Sequence, residues 1–160
     1  VNLGYNLRLT DIQAALLFDQ AKKIDQFRKN RIFNYELILK FFENSKILNK
    51  NLIFVKNQRN SEISWFNFPI ILKNFNKEKR DRLCVKLSKL GIETRPIISG
   101  NFTKQKVIIS LMKSISYEKF PNVDIVTNSG FMIGISSIKT NKKIVAKLCK
   151  DLEKTIIKFV

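Results

Sequence analysis

A chain of 160 residues is long enough to bury one core of its own, or to form part of a larger protein. None of its apolar runs approaches the roughly 18 residues of a membrane span, and no basic leader before a small-residue cleavage site marks it for export. Thirty Lys and Arg against 13 Asp and Glu leave a net charge of +17, a balance that attracts polyanions such as nucleic acid. The lysines are spread over every segment, however, and no RGG tract, zinc-knuckle spacing or aromatic RNA-binding signature accompanies them. They read as solvated helix faces, and no nucleic-acid partner is expected. The chain has no histidine, which removes imidazole bases, His-based triads and His metal sites together. Cys84 and Cys149 fall inside helical patterns without neighbouring ligands, so both are expected to be reduced and buried in a cytoplasmic protein, and no metal site is expected. The first residue is Val1, consistent either with a trimmed terminus or with a missing upstream segment.

In chain order, Thr10-x-x-Gln13 is a capping-box pattern. Behind it, Ala14, Leu17, Phe18, Ala21, Ile24, Phe27, Arg28, Arg31, Tyr35, Ile38 and Phe42 hold a mostly apolar helical stripe. The pattern is too long for one ordinary helix. It predicts two helices, or one bent helix, ending at Asn44-Ser45. A polar stretch from Asn57 to Ser61 precedes an aromatic and β-branched run that predicts a strand over 63–72. Pro69 cannot donate to a ladder, so that strand should lie at an edge or carry an irregularity there.

Asn76 then caps a helix with Leu83, Leu87 and Leu90 on one face and Gly91 as its stop. "IETRPII" predicts a second strand, because Arg95 precedes Pro96 and is pushed out of the helical region. "SGNFTKQ" is a loop with Gly100 at its tip and Thr103 as a candidate cap for a helix through about Met112. Pro121 opens a short helix ended by Gly130, and "FMIGIS" is a third strand in which Gly134 suits a close backbone approach. Thr140 caps a last helix with Val145, Leu148, Leu152, Ile156 and Phe159 inward. The expected fold class is therefore α/β or α+β: a long N-terminal helix segment, then a small three-stranded sheet covered by helices.

From the residues alone, no catalytic constellation emerges. Asp11, Asp19 and Asp25 suit first-turn and solvent-facing positions, and phosphate-cradling glycine patterns are missing. Two stretches invite a functional reading beside the plain one of polar turns. In "GYNLR", Asn6 and Arg8 offer an amide and a rigid fork of donors directly before a helix start, chemistry suited to a phosphate or carboxylate. In "ETRPIISGN", Arg95 and Asn101 form a second donor pair at the lip of a sheet.

"LGYNLRLTDIQAALLFDQAKKIDQFRKNR" resembles the segment that follows the cofactor domain in the DegT/StrS family of PLP-dependent sugar aminotransferases. "SWFNFPI", "GIETRPIISGNFTKQ" and "NSGFMIGI" are similar to the family branch of nucleotide-linked 4-keto-6-deoxyhexose 3-dehydratases and their allied aminotransferases. The resemblance implies a fold-type-I enzyme using pyridoxal 5'-phosphate or its amine form, a homodimer with sites at the subunit interface, and a nucleotide-sugar substrate. It implies residues 1–45 as an interdomain and dimer helix segment and residues 46–160 as the small C-terminal domain, with the large cofactor domain and its Schiff-base lysine, or the histidine that replaces it, upstream. It assigns Asn6, with Arg8 beside it, to the partner's cofactor phosphate, and Tyr5, Arg95 and Asn101 to the substrate side. It assigns no catalytic residue to this chain, and it implies a role in surface polysaccharide synthesis. The remaining readings are a basic nucleic-acid module or a non-catalytic dimerisation fragment.

Overall fold

The computed structural model describes residues 10–111 and 120–159. The turn bearing Tyr5, Asn6 and Arg8 lies outside the described residues, as does Met112.

The capping box forms: the Gln13 N–H donates to Thr10 Oγ1 and the Thr10 N–H to Gln13 Oε1 at 3.2 Å, opening α1 (Asp11–Ala21). A tight turn at Lys22-Lys23, closed by the Lys23 N–H on Gln20 O, separates it from α2 (Ile24–Asn44). The long stripe is thus two helices. Only its second half is core. Tyr35, Ile38 and Phe42 are buried, whereas α1 buries nothing and exposes Ile12 (79%), Leu16 (74%) and Phe18 (72%). Ser45 ends α2 and caps α3 (Lys46–Asn51), which leads directly into β1 (Leu52–Phe54). β1 was not expected, because three residues after a helix carry too short a pattern to register as a strand.

The sheet has four strands in the order β1-β2-β4-β3, with β2 Asn67–Leu72, β3 Thr94–Arg95 and β4 Gly130–Gly134. Every pairing is antiparallel, so the architecture is α+β rather than a parallel βαβ arrangement. β2 begins at Asn67, four residues later than expected, and β3 is only two residues of "IETRPII". Pro69 therefore sits in an interior strand, opposite Met132.

The register explains how. Lys73 N–H donates to Asn51 O, so odd-numbered residues of β2 address β1, and the next such pair after Ile71 and Ile53 is Pro69 with Val55. Proline has no N–H to give. The β1–β2 ladder stops at Phe54 and Ile70, and the Val55 carbonyl instead accepts from the Tyr35 hydroxyl. The irregularity is real, and a helix side chain fills it.

The core lies on one sheet face. Phe68 and Ile70 of β2 and Phe131 and Ile133 of β4 pack there with Tyr35, Ile38 and Phe42 of α2, Leu83 and Leu87 of α4 (Lys77–Lys89), and Val145, Cys149, Leu152 and Ile156 of α7 (Lys142–Ile157). Phe42 stacks on Phe68 with ring centroids 5.4 Å apart, and Tyr35 stacks on Trp65 at 5.0 Å. Asn34, only 2% exposed, is a polar member of this layer. Its Nδ2 donates to Ser136 O (3.0 Å) and Ile138 O (2.9 Å), and its Oδ1 accepts from the Thr140 N–H (2.9 Å). The residue thus ties α2 to the segment between β4 and α7.

Several caps fall where the sequence placed them. Asn76 accepts from the Lys79 N–H at the start of α4, Gly91 has φ +77° just beyond its end, and Pro121 opens α6 (Pro121–Ser129). Others move by a residue or two. Leu90 is the exposed C-cap of α4, while Arg80, three residues before Leu83, shares the buried face. α7 is capped by Asn141 rather than Thr140, whose N–H is taken by Asn34. Thr103 lies inside a short 3-10 turn (Phe102–Lys104) capped by Asn101, and α5 (Lys106–Leu111) follows separately. The close approach is at Gly130, where a Cβ would stand 2.4 Å from Val126 O and 2.7 Å from Ile97 Cδ1. At Gly134 a Cβ would meet nothing within 4 Å.

Candidate functional site

The stretch after β3 runs across the N-terminal half of α4 and over α6. Arg95 leaves the sheet opposite Met132 and turns its exposed guanidinium back on Glu93, with Nε at 2.9 Å and Nη2 at 2.7 Å from Oε1. Gly100 takes φ +70°, and a Cβ there would stand 3.1 Å from Thr127 Cγ2 on α6, so the loop tip lies against that helix.

Asn101 is 4% exposed and engaged at both ends of its amide. Nδ2 donates to Asp124 Oδ1 at 2.8 Å, while Oδ1 accepts from the Thr103 N–H at 3.1 Å and the Thr103 hydroxyl at 2.7 Å. Lys104 Nζ lies 2.8 Å from the same Asp124 oxygen. Hydrogen bonds from Lys104 first, and from Asn101 second, hold the Asp124 carboxyl below the usual carboxylate range. The two donors that the sequence picked out thus share one loop but differ in placement. Arg95 is on the surface, and Asn101 anchors the loop to α6.

Sequence reasoning passed over Arg80. It is 7% exposed, and its Nη1 donates to Gly130 O at 2.7 Å, fastening α4 to the start of β4. Its Nε lies 2.6 Å from Asp81 Oδ1 but is out of line for a hydrogen bond, and is buried without one. The signal was present: Arg80, Leu83 and Leu87 stand at i, i+3 and i+7, so a cation occupies the apolar face of α4. Two cavities of about 390 and 400 Å³ open on either side of Arg80, sharing Lys77, Arg80 and Pro96 as their common wall. The first also reaches Thr94 and Arg95, the second Ser99, Gly100 and Asn128.

The titratable sulfurs supply no nucleophile. Cys149 is buried and its thiol is pushed up to about 12, and burial also raises that of half-buried Cys84. Among the described residues no three of His, Cys, Asp or Glu are grouped to hold a metal ion. No described lysine is buried. The least exposed, Lys79, lies 4.5 Å over the Phe75 ring. A lysine poised for carbonyl chemistry needs a desolvated pocket, so the described residues do not by themselves fit a covalently held cofactor.

Against this geometry, comparison with known proteins is decisive about kinship. The profile of the DegT/DnrJ/EryC1/StrS aminotransferase family matches residues 1–152. The chain belongs to that family. The GDP-4-keto-6-deoxy-D-mannose 3-dehydratase of Yersinia pseudotuberculosis is 28% identical over 141 residues, covering 88% of this chain and 34% of that protein. The lipopolysaccharide biosynthesis protein RfbH of Salmonella typhimurium is 31% identical over 134 residues, covering 84% and 30%. The solved structure of the E. coli GDP-4-keto-6-deoxy-D-mannose-3-dehydratase with bound hydrated PLP superposes with a TM-score of 0.73 at 27% identity, over 95% of this chain and 37% of that one. A sugar aminotransferase structure from Streptococcus pneumoniae reaches a TM-score of 0.78 at 15% identity, over 100% and 38%, a likeness of fold. The chain spans about a third of the length of these family members.

Proposed function

We propose that this chain is the C-terminal portion of a PLP-dependent cytoplasmic enzyme acting on nucleotide-linked 4-keto-6-deoxy sugars for lipopolysaccharide O-antigen or related surface polysaccharide. The chemistry is either amino transfer or 3-dehydration. The observation that carries the reading is the joint match in sequence and fold to 3-dehydratases across nearly the whole chain. The exposed apolar residues of α1 support a division into a helix segment over 1–45, which docks against a cofactor domain and a second subunit, and a small domain over 46–160.

In this reading the cofactor supplies an electron sink when bound. This chain's residues bind and orient. Asn6 and Arg8 donate to the cofactor phosphate held by the partner subunit. Tyr5 and Arg95 face the substrate, and Asn101 holds the substrate-side loop on α6 through its bond to Asp124. The net charge of +17 suits a diphosphate-bearing substrate.

The test uses the full-length protein. Replacing one charge-assisted donor, Asn6→Ala, is expected to weaken retention of PLP about tenfold, read from cofactor absorbance after dialysis. Undiminished retention refutes the role of Asn6. A lysine at the cofactor-bonding position predicts amino transfer, and a histidine there predicts dehydration.

A further inference from the structure

The fold sorts the chain's cations by whether an acid meets them. On other elements several do find one: Arg28 meets Glu62, Lys56 meets Glu43, Arg95 meets Glu93 and Lys104 meets Asp124. On α7 no lysine has an ion pair among the described residues. Lys143, Lys147, Lys150, Lys154 and the C-cap Lys158 are all exposed and recur every three or four residues. That spacing sets them on one line about 22 Å long, opposite the buried line of Val145, Cys149, Leu152 and Ile156. The two acids of α7 are half-buried and off the line. Glu153 accepts from the Ser45 hydroxyl, and Asp151 has no ion pair among the described residues.

Helix α7 is the middle of the helical layer, touching α2 on one side and α4 on the other, so the lysines crown that layer on the side away from the sheet. Helix α4 widens the positive face. Past Asp81 it carries no acid, its Arg82, Lys86 and Lys89 are exposed, and Lys86 Nζ lies 4.9 Å over the Phe159 ring beyond the end of α7. Like charges at these spacings destabilise a helix. A negative surface laid against α7 relieves that repulsion.

The residue types indicate which surface. Lysine, not arginine, fills the line. An ammonium is a hydrated point charge on a flexible stem, without the fork that arginine offers to one phosphate or carboxylate. No aromatic ring stands on the line to stack on a base. Ile144 and Ile157 are exposed beside the lysines, and a lipid headgroup layer accepts both charge and hydrocarbon. We infer that the outer face of α7, with the adjoining cations of α4, is a docking surface for an anionic lipid bilayer. The contact is peripheral, since among the described residues no helix is long and apolar enough to cross a membrane. The inference stands apart from the sugar-nucleotide reading, because only the placement of charge on this chain carries it.

The experiment sediments the full-length protein with vesicles of phosphatidylcholine, with and without phosphatidylglycerol, at physiological salt. Binding to the anionic vesicles alone is expected, weakening as salt is added. Lys147→Gln, Lys150→Gln and Lys154→Gln should each weaken it about fivefold, and together on the order of a hundredfold. Glutamine sustains a helix as lysine does, and circular dichroism checks the fold; if the triple variant unfolds, the single variants decide. Arginine at the same three positions should keep binding within about threefold of the parent, because the charge is retained. As a control, Lys29→Gln, Lys50→Gln and Lys73→Gln together remove equal charge from exposed sites on α2, α3 and the turn after β2. They should weaken binding less than about threefold. Equal losses from the two triple variants would mean that net charge alone draws the protein to lipid, and would overturn the inference. So would an absence of binding to anionic vesicles, including the case in which a DNA duplex or polyglutamate binds through the same three lysines instead. Cofactor absorbance should be the same in all these variants, so neither result bears on the Asn6 experiment.

Discussion

The pairing of Tyr35 with a proline-interrupted ladder makes a quantitative prediction. Tyr35→Phe keeps the ring stacked on Trp65 and tilted against Phe68, at centroid distances of 5.0 and 4.8 Å, and removes only the hydroxyl that donates to Val55 O. The carbonyl is then left without a partner at a half-buried position, because residue 69 has no N–H. The expected loss is about 1–2 kcal/mol, between the net value of a hydrogen bond and the cost of an orphaned buried acceptor. Pro69→Ala restores an N–H at the ladder position facing Val55. Alone, it should cost about 0.4–1 kcal/mol by loosening the unfolded chain. Combined, Tyr35→Phe and Pro69→Ala should be less destabilising than their sum by about 1 kcal/mol, since the new amide takes over the carbonyl that the phenol released. Urea unfolding of the four proteins measures the cycle. Additivity within about 0.3 kcal/mol would show that Val55 O is served by water, and would refute the register argument. The same hydroxyl leaves a mark on pH dependence. Burial pushes the Tyr35 pKa up to about 12 from an ordinary value near 10. The unfolded chain therefore releases this proton first, so stability is fully present below pH 10 and falls as pH rises from 10 towards 12. Tyr35→Phe should remove that part of the alkaline limb.

Two further outcomes follow from buried amides. Asn34→Ala leaves Ser136 O, Ile138 O and the Thr140 N–H without their partner and should cost about 2–3 kcal/mol in urea unfolding. Asn34→Asp should be worse at neutral pH, since a carboxylate would face two carbonyls, and should recover partly under acid; an Asp variant as stable as the parent would contradict the assigned amide orientation. At the α6 anchor, the lowered Asp124 pKa means a contribution present at neutral pH and lost as acid protonates the folded carboxyl. Amide exchange at Thr103 to Gln105 should quicken as pH falls through that range relative to the intrinsic rate. Asp124→Asn should show the faster exchange at all pH values, and an Asn variant indistinguishable from the parent would sink the anchoring role.

What the sequence determined by itself is local. A hydroxyl or amide three residues before a backbone N–H, a glycine that must turn left-handed, a proline at a helix start: these depend on neighbours within one turn. So Thr10, Asn76, Gly91 and Pro121 were readable without any fold. The family was legible for a related reason, since its motifs lie in consecutive runs. Tertiary structure decided everything that needs a distant partner. Pro69 is compatible with an interior strand only because Tyr35, 34 positions earlier, reaches Val55. Gly130 rather than Gly134 is the crowded glycine because the Val126 carbonyl at the end of α6 stands closest to it and Ile97 reaches it from the loop after β3; only the second of these needed the tertiary fold. Asn101 is drawn inward because Asp124 waits on α6, and the apolar residues of α1 stay exposed because no described element packs on them. The burial of Arg80 rests on both. Its place on the apolar face is written in the spacing to Leu83 and Leu87, but the carbonyl it reaches and the cavities it borders exist only once β4 and α6 have closed over α4.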